Sequence, residues 1–352
     1  MTYYPQLIKD ALRHVRYPGD GQDIVTNGML ADDIRINGNH ISFSLIFKRA
    51  NDPFSQSLIK ACEQAILTYV DKAADIRGNI AVKVQAPIPT YQAKPLATVK
   101  HIIAVSSGKG GVGKSTVATN LAVTLAQAGH SVGLLDADIH GPSIPKMLNI
   151  EQARPMSETI NGKEWITPIE KYGIKILSIG LFVDPDSALI WRGAMACSAL
   201  KQLIEEARWG TLDYFIIDMP PGTSDIHLTL VQTLHLNGAI IVTTPQPVAL
   251  ADARKGVDMF RNTKIAVPVL GIVENMAWFT PAELPDNKYY IFGRDGGKQL
   301  AAEMNVPLLG QIPLVESIRE GGDTGIPIAM QTNHPAAKYF AQLAQTVDEQ
   351  LN

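Results

Sequence analysis

The spacing of apolar and polar positions changes character near residue 84. Before that point, apolar residues recur at helical spacing, then in two short alternating runs around Asn37-Gly38, then at helical spacing again, and finally in the run "GNIAVKV". Asn-Gly favours a tight hairpin turn, and proline suits the first position of a helix. We therefore predict a small α+β domain over residues 1–84 in the order α-β-β-α-β, with helices over 6–16 and 53–73 and with Asp52 capping the second helix.

Residues 85–99 carry three prolines and no apolar periodicity, which is typical of an extended linker. From Lys100 onward, short apolar runs alternate with longer helical segments. Strands are predicted at "KHIIAVSS", "SVGLLDAD", "YFIIDMPP", "GAIIVTTP" and "VPVLGIVEN". That alternation predicts an α/β domain over residues 100–352, with a doubly wound, mostly parallel sheet between two layers of helices. In such sheets, ligands bind at the carboxyl ends of the strands.

Composition narrows the class of protein. The chain has 352 residues, of which 46% are hydrophobic and 18% charged, and its formal net charge is -3. That charge argues against broad, non-specific binding of nucleic acid. No apolar run reaches the ~18 residues of a membrane-spanning helix, and the N-terminus lacks the apolar stretch of a signal peptide. Because only Cys62 and Cys197 occur, far apart, we expect no disulfide framework and a cytoplasmic location.

A glycine-rich loop follows the first strand of the larger domain and opens a predicted helix. It has the form G-x-x-x-x-G-K-[ST] and consists of Gly108, Lys109, Gly110, Gly111, Val112, Gly113, Lys114 and Ser115. Glycines let backbone N–H groups converge on phosphate oxygens, and a helix N-terminus adds positive potential. The loop predicts a P-loop nucleotide site in which Lys114 neutralises the β and γ oxygens, Ser115 binds Mg²⁺ and Thr116 reaches the α-phosphate.

Acidic residues stand where the neighbouring strands end. Asp218 ends "DYFIID", at the place of a carboxylate that would hold Mg²⁺ through water. Asp138, which closes "VGLLDAD", is the candidate for positioning the attacking water, and Asp136 is expected nearer the outer shell of the metal. Either of these two carboxylates would otherwise cap a helix or remain solvated. Gly222, in "PPGTSD", is predicted to offer its N–H to the γ-phosphate.

The sequence favours adenine as the base. A GTP site usually shows N-K-x-D after a late strand, whereas the Asn-Lys pair in "DNKYY" lacks the aspartate. Asn275, at the end of "GIVEN", and a turn from Gln311 to Pro313 are the residues expected to flank the adenine. The predicted cofactors are therefore ATP and Mg²⁺.

A second lysine, Lys109, directly follows the first glycine of the loop "GKGGVGKST". In this deviant form the loop resembles that of the MinD, ParA, nitrogenase iron protein and Mrp/ApbC group. The blocks "DADIHGPSIPKML", "WRGAMACSALKQLI" and "GIVENMAWF" resemble the Mrp/ApbC branch in particular. The resemblance implies a homodimer that closes around ATP and hydrolyses it, with Lys109 reaching the nucleotide of the other subunit. It also implies delivery of iron–sulfur clusters to apoproteins. The alternative for Lys109 is a solvated loop lysine.

One departure from the family pattern concerns the cluster. The family places C-x-x-C after the "ENM" segment, so that two chains bridge a [4Fe–4S] cluster through thiolates, whereas this chain reads "MAWFTPAELPDNKYYIFG" there. We expect a surface loop with Trp278 and Phe279 packed at its base. Cys62 lies on an apolar helix stripe and is expected to be buried, and Cys197 is expected to be structural. A metal-free, nucleotide-dependent switch for a protein partner is therefore the alternative function.

Other functions find less support in the sequence. The histidines lack metal-binding spacing: His140 is expected in a solvated loop, with nucleotide sensing as the alternative, and His227 on a helix surface. The tail "HPAAKYFAQLAQTVDEQLN" has one lysine, unlike the basic amphipathic helix of an ATPase that positions itself on membranes. No acceptor pocket of a metabolic kinase can be named.

Overall fold

The computed structural model describes residues 3–19, 21–47, 52–84, 96–139, 141–160, 162–182, 193–223, 225–263, 265–281 and 283–352. The chain divides into two compact units, Met1–Gln92 and Ala93–Asn352. Separate apolar clusters form the cores of the two units. Most of the predicted linker, residues 85–95, lies outside the described residues, and the domain boundaries at residues 84 and 100 stay predictions.

The small unit packs helices on a three-stranded sheet. Its elements are α1 Pro5–Leu12, β1 Arg35–Asn37, β2 His40–Phe47, α2 Ser55–Tyr69 and β3 Ile80–Val84. β1 and β2 pair antiparallel across a turn that contains Gly38 at φ 62°, and β3 pairs parallel to β2. Apolar side chains of both helices and of β2 meet in the core. The predicted α-β-β-α-β order is confirmed.

Both helices of the small unit are shorter than the sequence predicts, since they cover 5–12 and 55–69. The start of α2 is shifted because Phe54 is its N-cap. The Asp52 carboxylate accepts hydrogen bonds from the Phe54 N–H at 2.9 Å and from the Tyr17 hydroxyl at 2.6 Å. The prediction that Asp52 is the cap is therefore wrong, because its side chain instead ties the chain before the helix to a distant tyrosine.

The large unit alternates strands and helices along the chain. Its elements are β4 Val99–Ser107, α3 Lys114–Gln127, β5 Val132–Asp136, α4 Ile144–Met147, β6 Met156–Ile160, β7 Lys163–Thr167, β8 Ile169–Lys171, β9 Ile174–Ser178, α5 Gly193–Glu205, β10 Leu212–Pro221, α6 Asp225–Thr233, β11 Gly238–Thr243, α7 Pro247–Arg261, β12 Val269–Phe279, α8 Gly296–Glu303, β13 Leu308–Leu314, α9 Glu316–Thr324 and α10 Ala337–Leu351. β6 and β7 form a separate antiparallel hairpin.

The other strands form an eight-stranded sheet in the order β13-β12-β11-β4-β10-β5-β9-β8. Neighbours are parallel except for the antiparallel pair β8–β9. Alternate residues of β4 face opposite cores: Ile103 and Val105 pack with α3 and α10, and Ile102 and Ala104 pack with α5, α7 and α8. The doubly wound, mostly parallel sheet is confirmed, and β4 leads from its centre into the glycine loop.

Two strands differ from the prediction. β12 does not stop at Asn275 but continues to Phe279, and residues 311–313 belong to strand β13 rather than to a turn. Pro313 is tolerated there because β13 lies at the edge of the sheet, where a missing N–H leaves no ladder bond unmade. Within the described ranges, no helix combines the length and the apolar character needed to cross a bilayer.

Candidate nucleotide site

The glycine loop turns sharply between β4 and α3. Gly111 and Gly113 have φ values of 81° and 82°, a left-handed conformation that glycine adopts without strain. Gly113 is the N-cap of α3, whose first turn has N–H groups without helical acceptors. A cavity of about 200 Å³ opens there and is lined by Ser107, Gly110, Gly111, Gly113, Lys114, Ser115, Thr116, Asp138, Ser143, Met147 and Pro221. The loop is therefore built to hold an anion.

The ammonium of Lys114 is the positive charge of this cavity. Only 6% of its side chain is exposed, and its Nζ lies 2.7 Å from Oδ1 of Asp218 and 3.8 Å from Oδ2 of Asp138. Asp218 on β10 pairs in register with Asp136 at the end of β5. Because Asp138 follows Asp136 by two residues, the sheet brings Asp138 and Asp218 close together. The structure thus places Lys114, Asp138 and Asp218 in one cluster, where a lysine and carboxylates can share a phosphate and its metal ion.

The second carboxylate oxygen of Asp218, Oδ2, suits a hard cation. Oδ1 accepts a hydrogen bond from Lys114, while the buried Oδ2 has no hydrogen-bond partner among the residues that the structure describes. A buried carboxylate oxygen without a partner is costly, and Mg²⁺ takes oxygen ligands. The hydroxyl of Ser115 lies 3.3 Å from the same lysine ammonium. These donors fit Mg²⁺, with Ser115 and Asp218 as the residues that would hold it.

Asp136 organises the loop that follows β5. Its carboxylate is fully buried and accepts hydrogen bonds from the backbone N–H groups of Asp138 and Ile144 and from the hydroxyl of Ser178. Burial, and then the nearby charge of Asp218, raise the pKa of the Asp136 carboxyl to about 7. Asp136 therefore fixes the position of Asp138, and its predicted place near the metal's outer shell stays a prediction.

Gly108 and Val112 support the loop from behind and do not line the cavity. A β-carbon on Gly108 would lie 2.1 Å from the backbone carbon of Asp252, so only glycine lets the loop pack against α7. The side chain of Val112 is 3% exposed and belongs to the core under the loop. For both residues, the predicted contact with nucleotide can come only from the backbone.

Of three residues predicted to touch the nucleotide, two have other hydrogen-bond partners in the structure and one is buried in a strand. The side-chain amide of Asn275 donates to the carbonyl of Val112 at 2.9 Å. Pro313 is buried within β13, so the predicted turn is absent. The N–H of Gly222 donates to the carbonyl of Ser107 at 2.9 Å, so a bond to the γ-phosphate would require an exchange of partners. The nucleotide contacts of these three residues stay predictions.

Lys109 directly precedes Gly110, which lines the cavity, and Lys109 itself is half-buried. Its carbonyl accepts a hydrogen bond from the hydroxyl of Ser107 at 2.9 Å, which holds the backbone of the loop. Within the described residues, its ammonium makes no hydrogen bond or ion pair with its own chain. The charge of Lys109 is therefore available to a group outside the subunit.

Sequence reasoning missed several residues of the site. Ser143 and Met147, at the start and end of α4, line the cavity, although nothing in their spacing marks them as ligands. The prediction for His227 is wrong, because this residue is fully buried on α6 rather than on a helix surface. His140 lies outside the described residues.

The comparison with protein families covers both units. Residues 98–348 match the profile of the family described as "NUBPL iron-transfer P-loop NTPase". The chain belongs to the iron-transfer P-loop NTPase family. Residues 5–76 match a second family, described as "Iron-sulfur cluster assembly protein". Membership of the iron-transfer family confirms the resemblance inferred from the sequence, and it makes the chain a nucleotide-binding ATPase.

Relatives and solved structures agree with this assignment. A protein of Synechocystis sp. named iron–sulfur cluster carrier protein is 45% identical over 343 residues, which is 96% of this chain and 94% of the relative. A nucleotide-binding protein of Archaeoglobus fulgidus, solved with ADP, is 34% identical with a TM-score of 0.59, over 70% of this chain and 93% of its own. MinD of Pyrococcus horikoshii, solved with Mg-ADP, is 25% identical with a TM-score of 0.51, over 71% of this chain and 96% of its own.

The loop after β12 does not fit a thiolate-bound cluster, although the family resemblance places one there. Residues 276–290 contain no cysteine. Trp278 packs edge-on against Tyr339 of α10 with ring centroids 5.9 Å apart, and the ammonium of Lys288 lies 4.0 Å above the Trp278 ring. Phe279 and Tyr289 exchange two backbone hydrogen bonds of 2.8 Å. The predicted surface loop with aromatic residues at its base is confirmed.

The two cysteines do not supply a cluster site either. Cys62 is fully buried in the core of the small unit, and burial raises the pKa of its thiol to about 12. Cys197 is partly exposed on α5, where its sulfur accepts a hydrogen bond of 3.2 Å from the Thr229 hydroxyl. Within the described residues, no group of three or more His, Cys, Asp and Glu could hold a metal ion.

Proposed function

We propose that the chain is an ATP-hydrolysing homodimer that carries iron–sulfur clusters to apoproteins in the cytoplasm. The observation that carries this proposal is the joint match of the two units, the small one to an iron–sulfur cluster assembly family and the large one to the iron-transfer ATPases. The name of the Synechocystis relative, which spans nearly the whole chain, supports the same function.

The nucleotide chemistry is assigned to the cavity at the end of β4. Backbone N–H groups of the glycine loop, together with Lys114 and Thr116, hold the phosphates of ATP, and Ser115 and Asp218 hold Mg²⁺. Mg²⁺ supplies charge neutralisation at the phosphate oxygens. Asp138, at the rim of the same cavity, positions the attacking water. The predicted contacts with the nucleotide remain predictions for Asn275, Gly222 and Pro313.

In the proposed dimer, the contact with the other subunit's nucleotide is assigned to Lys109. Because its ammonium has no partner among the described residues of its own chain, it is free to reach the phosphates held by a second copy. An added cation at the transferring phosphoryl group stabilises the transition state, as arginine fingers do in other P-loop NTPases. ATP binding and dimer closure are then coupled in one equilibrium, and hydrolysis of ATP lets the dimer open again.

The iron–sulfur cluster is the cargo in this proposal, and iron loading tests it. After anaerobic reconstitution with ferrous iron and sulfide, we expect a brown protein with cluster absorbance that passes its cluster to an apo-acceptor. A Cys62→Ala, Cys197→Ala double variant should keep the cluster if other groups bind it and lose it if these thiols do. Protein that remains colourless under these conditions would contradict the carrier function.

The alternative function is a nucleotide-dependent switch that binds and releases a protein partner without metal. The lack of cysteines in the loop after β12 is the observation behind it, whereas the family matches do not favour it. A pull-down with a non-hydrolysable ATP analogue separates the two functions. Capture of a partner by iron-free protein would support the switch. Capture that requires reconstituted protein would support the carrier.

A further inference from the structure

A second cavity opens at the edge of the eight-stranded sheet opposite the nucleotide loop. Val132, Ile174 and Leu212, the first residues of β5, β9 and β10, line it, and its volume is about 390 Å³. Pockets that hold small molecules have volumes of about 300–1,000 Å³, so this cavity is large enough for one.

This cavity is separate from the nucleotide site. The described residues that line it include none of those that line the nucleotide cavity. Strand β5 carries Val132 at one end and Asp136 at the other, which puts roughly 13 Å between the two edges at about 3.3 Å per residue. A ligand in this cavity would therefore bind in addition to the nucleotide.

Part of the lining is apolar. Val132, Ile174 and Leu212 are buried, and the half-buried Tyr172 adds an aromatic residue to the lining. Contact with such residues removes the apolar surface of a ligand from water, which is favourable. The cavity can therefore hold the apolar body of a small molecule.

Lys175 brings positive charge to the lining. Its ammonium donates a hydrogen bond to the carbonyl of Trp209 at 2.9 Å and would lie 3.4 Å from a β-carbon on Gly210. The ammonium is therefore next to Thr211, which also lines the cavity. Because an ammonium has three N–H donors, two of them remain for a ligand.

Lys171 brings a second positive charge. Its ammonium donates to the carbonyl of Asn149 at 3.2 Å and lies 5.2 Å from the centre of the Tyr172 ring. Within the described residues, neither lysine forms an ion pair with a carboxylate. Glu170, the acidic residue of the lining, is exposed, and two lysines with one glutamate leave the lining with a net charge of +1.

The walls of the cavity are held in position by the protein itself. The hydroxyl of Tyr172 donates to the carbonyl of Gly325 at 2.8 Å, and the N–H and hydroxyl of Ser131 donate to the carboxylate of Asp213 at 2.8 Å and 2.7 Å. Tyr172 has φ 52°, a left-handed conformation that is rare for a bulky residue and is concentrated at functional sites. A site that is ordered in advance loses less conformational entropy on binding.

We propose that this cavity binds a small organic anion, a molecule that carries a carboxylate or phosphate group on an apolar body. Lys171 and Lys175 bind the anionic group through charge-assisted hydrogen bonds, and the buried residues at the starts of the strands contact the apolar body. This inference goes beyond the proposed function and does not depend on it, because the two cavities share none of their described lining residues.

The test uses the full chain saturated with Mg-ADP, so that the nucleotide loop is occupied. Ligand-observed NMR titrations measure the affinities of phenyl phosphate, benzoate and benzylamine, which share an aromatic ring and differ in charge. We expect at least one of the two anions to bind, and benzylamine, which is a cation at neutral pH, not to bind. The anion that binds more tightly identifies the group that the lysines prefer.

Variants of the lining show whether the lysines hold the anion. A Lys171→Met, Lys175→Met double variant should weaken anion binding at least about tenfold, whereas the corresponding double substitution to arginine keeps both charges and should retain binding. Glu170→Gln removes a negative charge and should tighten anion binding by about twofold or more. Lys163→Met, on the separate β6–β7 hairpin, is the control and should leave the affinity unchanged.

Several results would overturn the inference while leaving the proposed function intact. They are a wild type that binds neither anion, a wild type that binds benzylamine as tightly as the anions, and a methionine double variant that binds the anions as tightly as the wild type. The affinity of each variant for Mg-ADP checks its folding. If the methionine double variant does not fold, Glu170→Gln decides, since an unchanged or weaker affinity for the anions would place them elsewhere on the protein.

Discussion

The side-chain amide of Asn275 fills the space beside Gly113 that a β-carbon would need. Such a carbon would lie 2.1 Å from Nδ2 of Asn275, and that amide already donates to the carbonyl of Val112 at 2.9 Å. Strand β12 at Asn275 and the glycine loop are therefore packed against each other without room for a methyl group. Any change at Gly113 must displace the residue that braces the loop.

We expect Gly113→Ala to lose nucleotide binding and to lower the free energy of unfolding by about 1–3 kcal/mol, the cost of a non-glycine residue in a strained left-handed conformation. Gly113 has φ 82°, so strain and the contact with Asn275 add together. Urea denaturation and nucleotide titration measure the two effects. Gly110→Ala is the matched control for stability, because a β-carbon on Gly110 would meet nothing within 4 Å. Equal stability losses in both variants would contradict this explanation.

The nucleotide loop was predictable from sequence because its chemistry is local. A strand, two left-handed glycines, a lysine and a helix start follow one another within a few residues, and each has its own sequence signal. The meeting of Lys114 with Asp218 was also predictable, since carboxyl ends of parallel strands lie at one edge of the sheet.

The errors lie where distant contacts decide the local structure. Asp52 looks like a helix cap, but the hydroxyl of Tyr17 binds its carboxylate and the helix starts later. Pro313 suggests a turn, but an edge strand accommodates it. Met276 has φ 56° where β12 shifts register, and a methionine gives no sequence signal for that bend. None of these contacts can be read from neighbouring residues.

Asp218→Asn should weaken the dependence of ATP binding and hydrolysis on Mg²⁺. The substitution removes the charge that holds the metal and leaves the Lys114 ammonium, now 2.7 Å from Oδ1, beside a neutral amide. We expect hydrolysis to fall by at least about tenfold, equivalent to about 1.4 kcal/mol of activation free energy. Turnover measured across a Mg²⁺ titration tests this, with Asp258→Asn on the exposed face of α7 as the control. An unchanged Mg²⁺ dependence would assign the metal to other groups.

The two cysteines should differ in reactivity. Burial, followed by the charge of Glu63, raises the pKa of Cys62 to about 12, so its thiol stays protonated and shielded in the native protein at pH 8. Cys197, which is partly exposed, should react first with a thiol reagent, and Cys62 only on unfolding. The number of labelled thiols per chain, followed over time in the wild type and in a Cys197→Ala control variant, measures the difference in reactivity. Rapid labelling of that variant at pH 8 would show that Cys62 is accessible.

The raised pKa of Cys62 predicts how the free energy of unfolding changes at alkaline pH. Above its unfolded pKa of 9.0, the Cys62 thiol ionises in the unfolded chain while it stays protonated in the native one. The native state then binds more protons, so stability falls as pH rises from 9.0 toward about 12. Cys62→Ala should show a shallower decline over this interval. Urea midpoints of both proteins at matched pH values provide the comparison.

Lys109→Ala should separate nucleotide binding from hydrolysis. Its own cavity keeps Lys114, so the variant should bind ATP with nearly unchanged affinity and yet lose turnover, because the cation that reaches the other subunit is missing. Lys255→Ala, which removes an exposed lysine of α7, is the control for loss of charge alone. Turnover like that of the wild type would refute action across the dimer.

Mixing two inactive variants gives the sharpest form of this test. Lys114→Ala removes the phosphate-binding lysine but keeps Lys109, so a mixed dimer with Lys109→Ala contains one site that has both its own Lys114 and the partner's Lys109. We expect each variant to be inactive alone and the mixture to recover a fraction of wild-type turnover. If Lys109 acted on its own subunit, every site in the mixture would lack one lysine. No activity would then return at any ratio of the two.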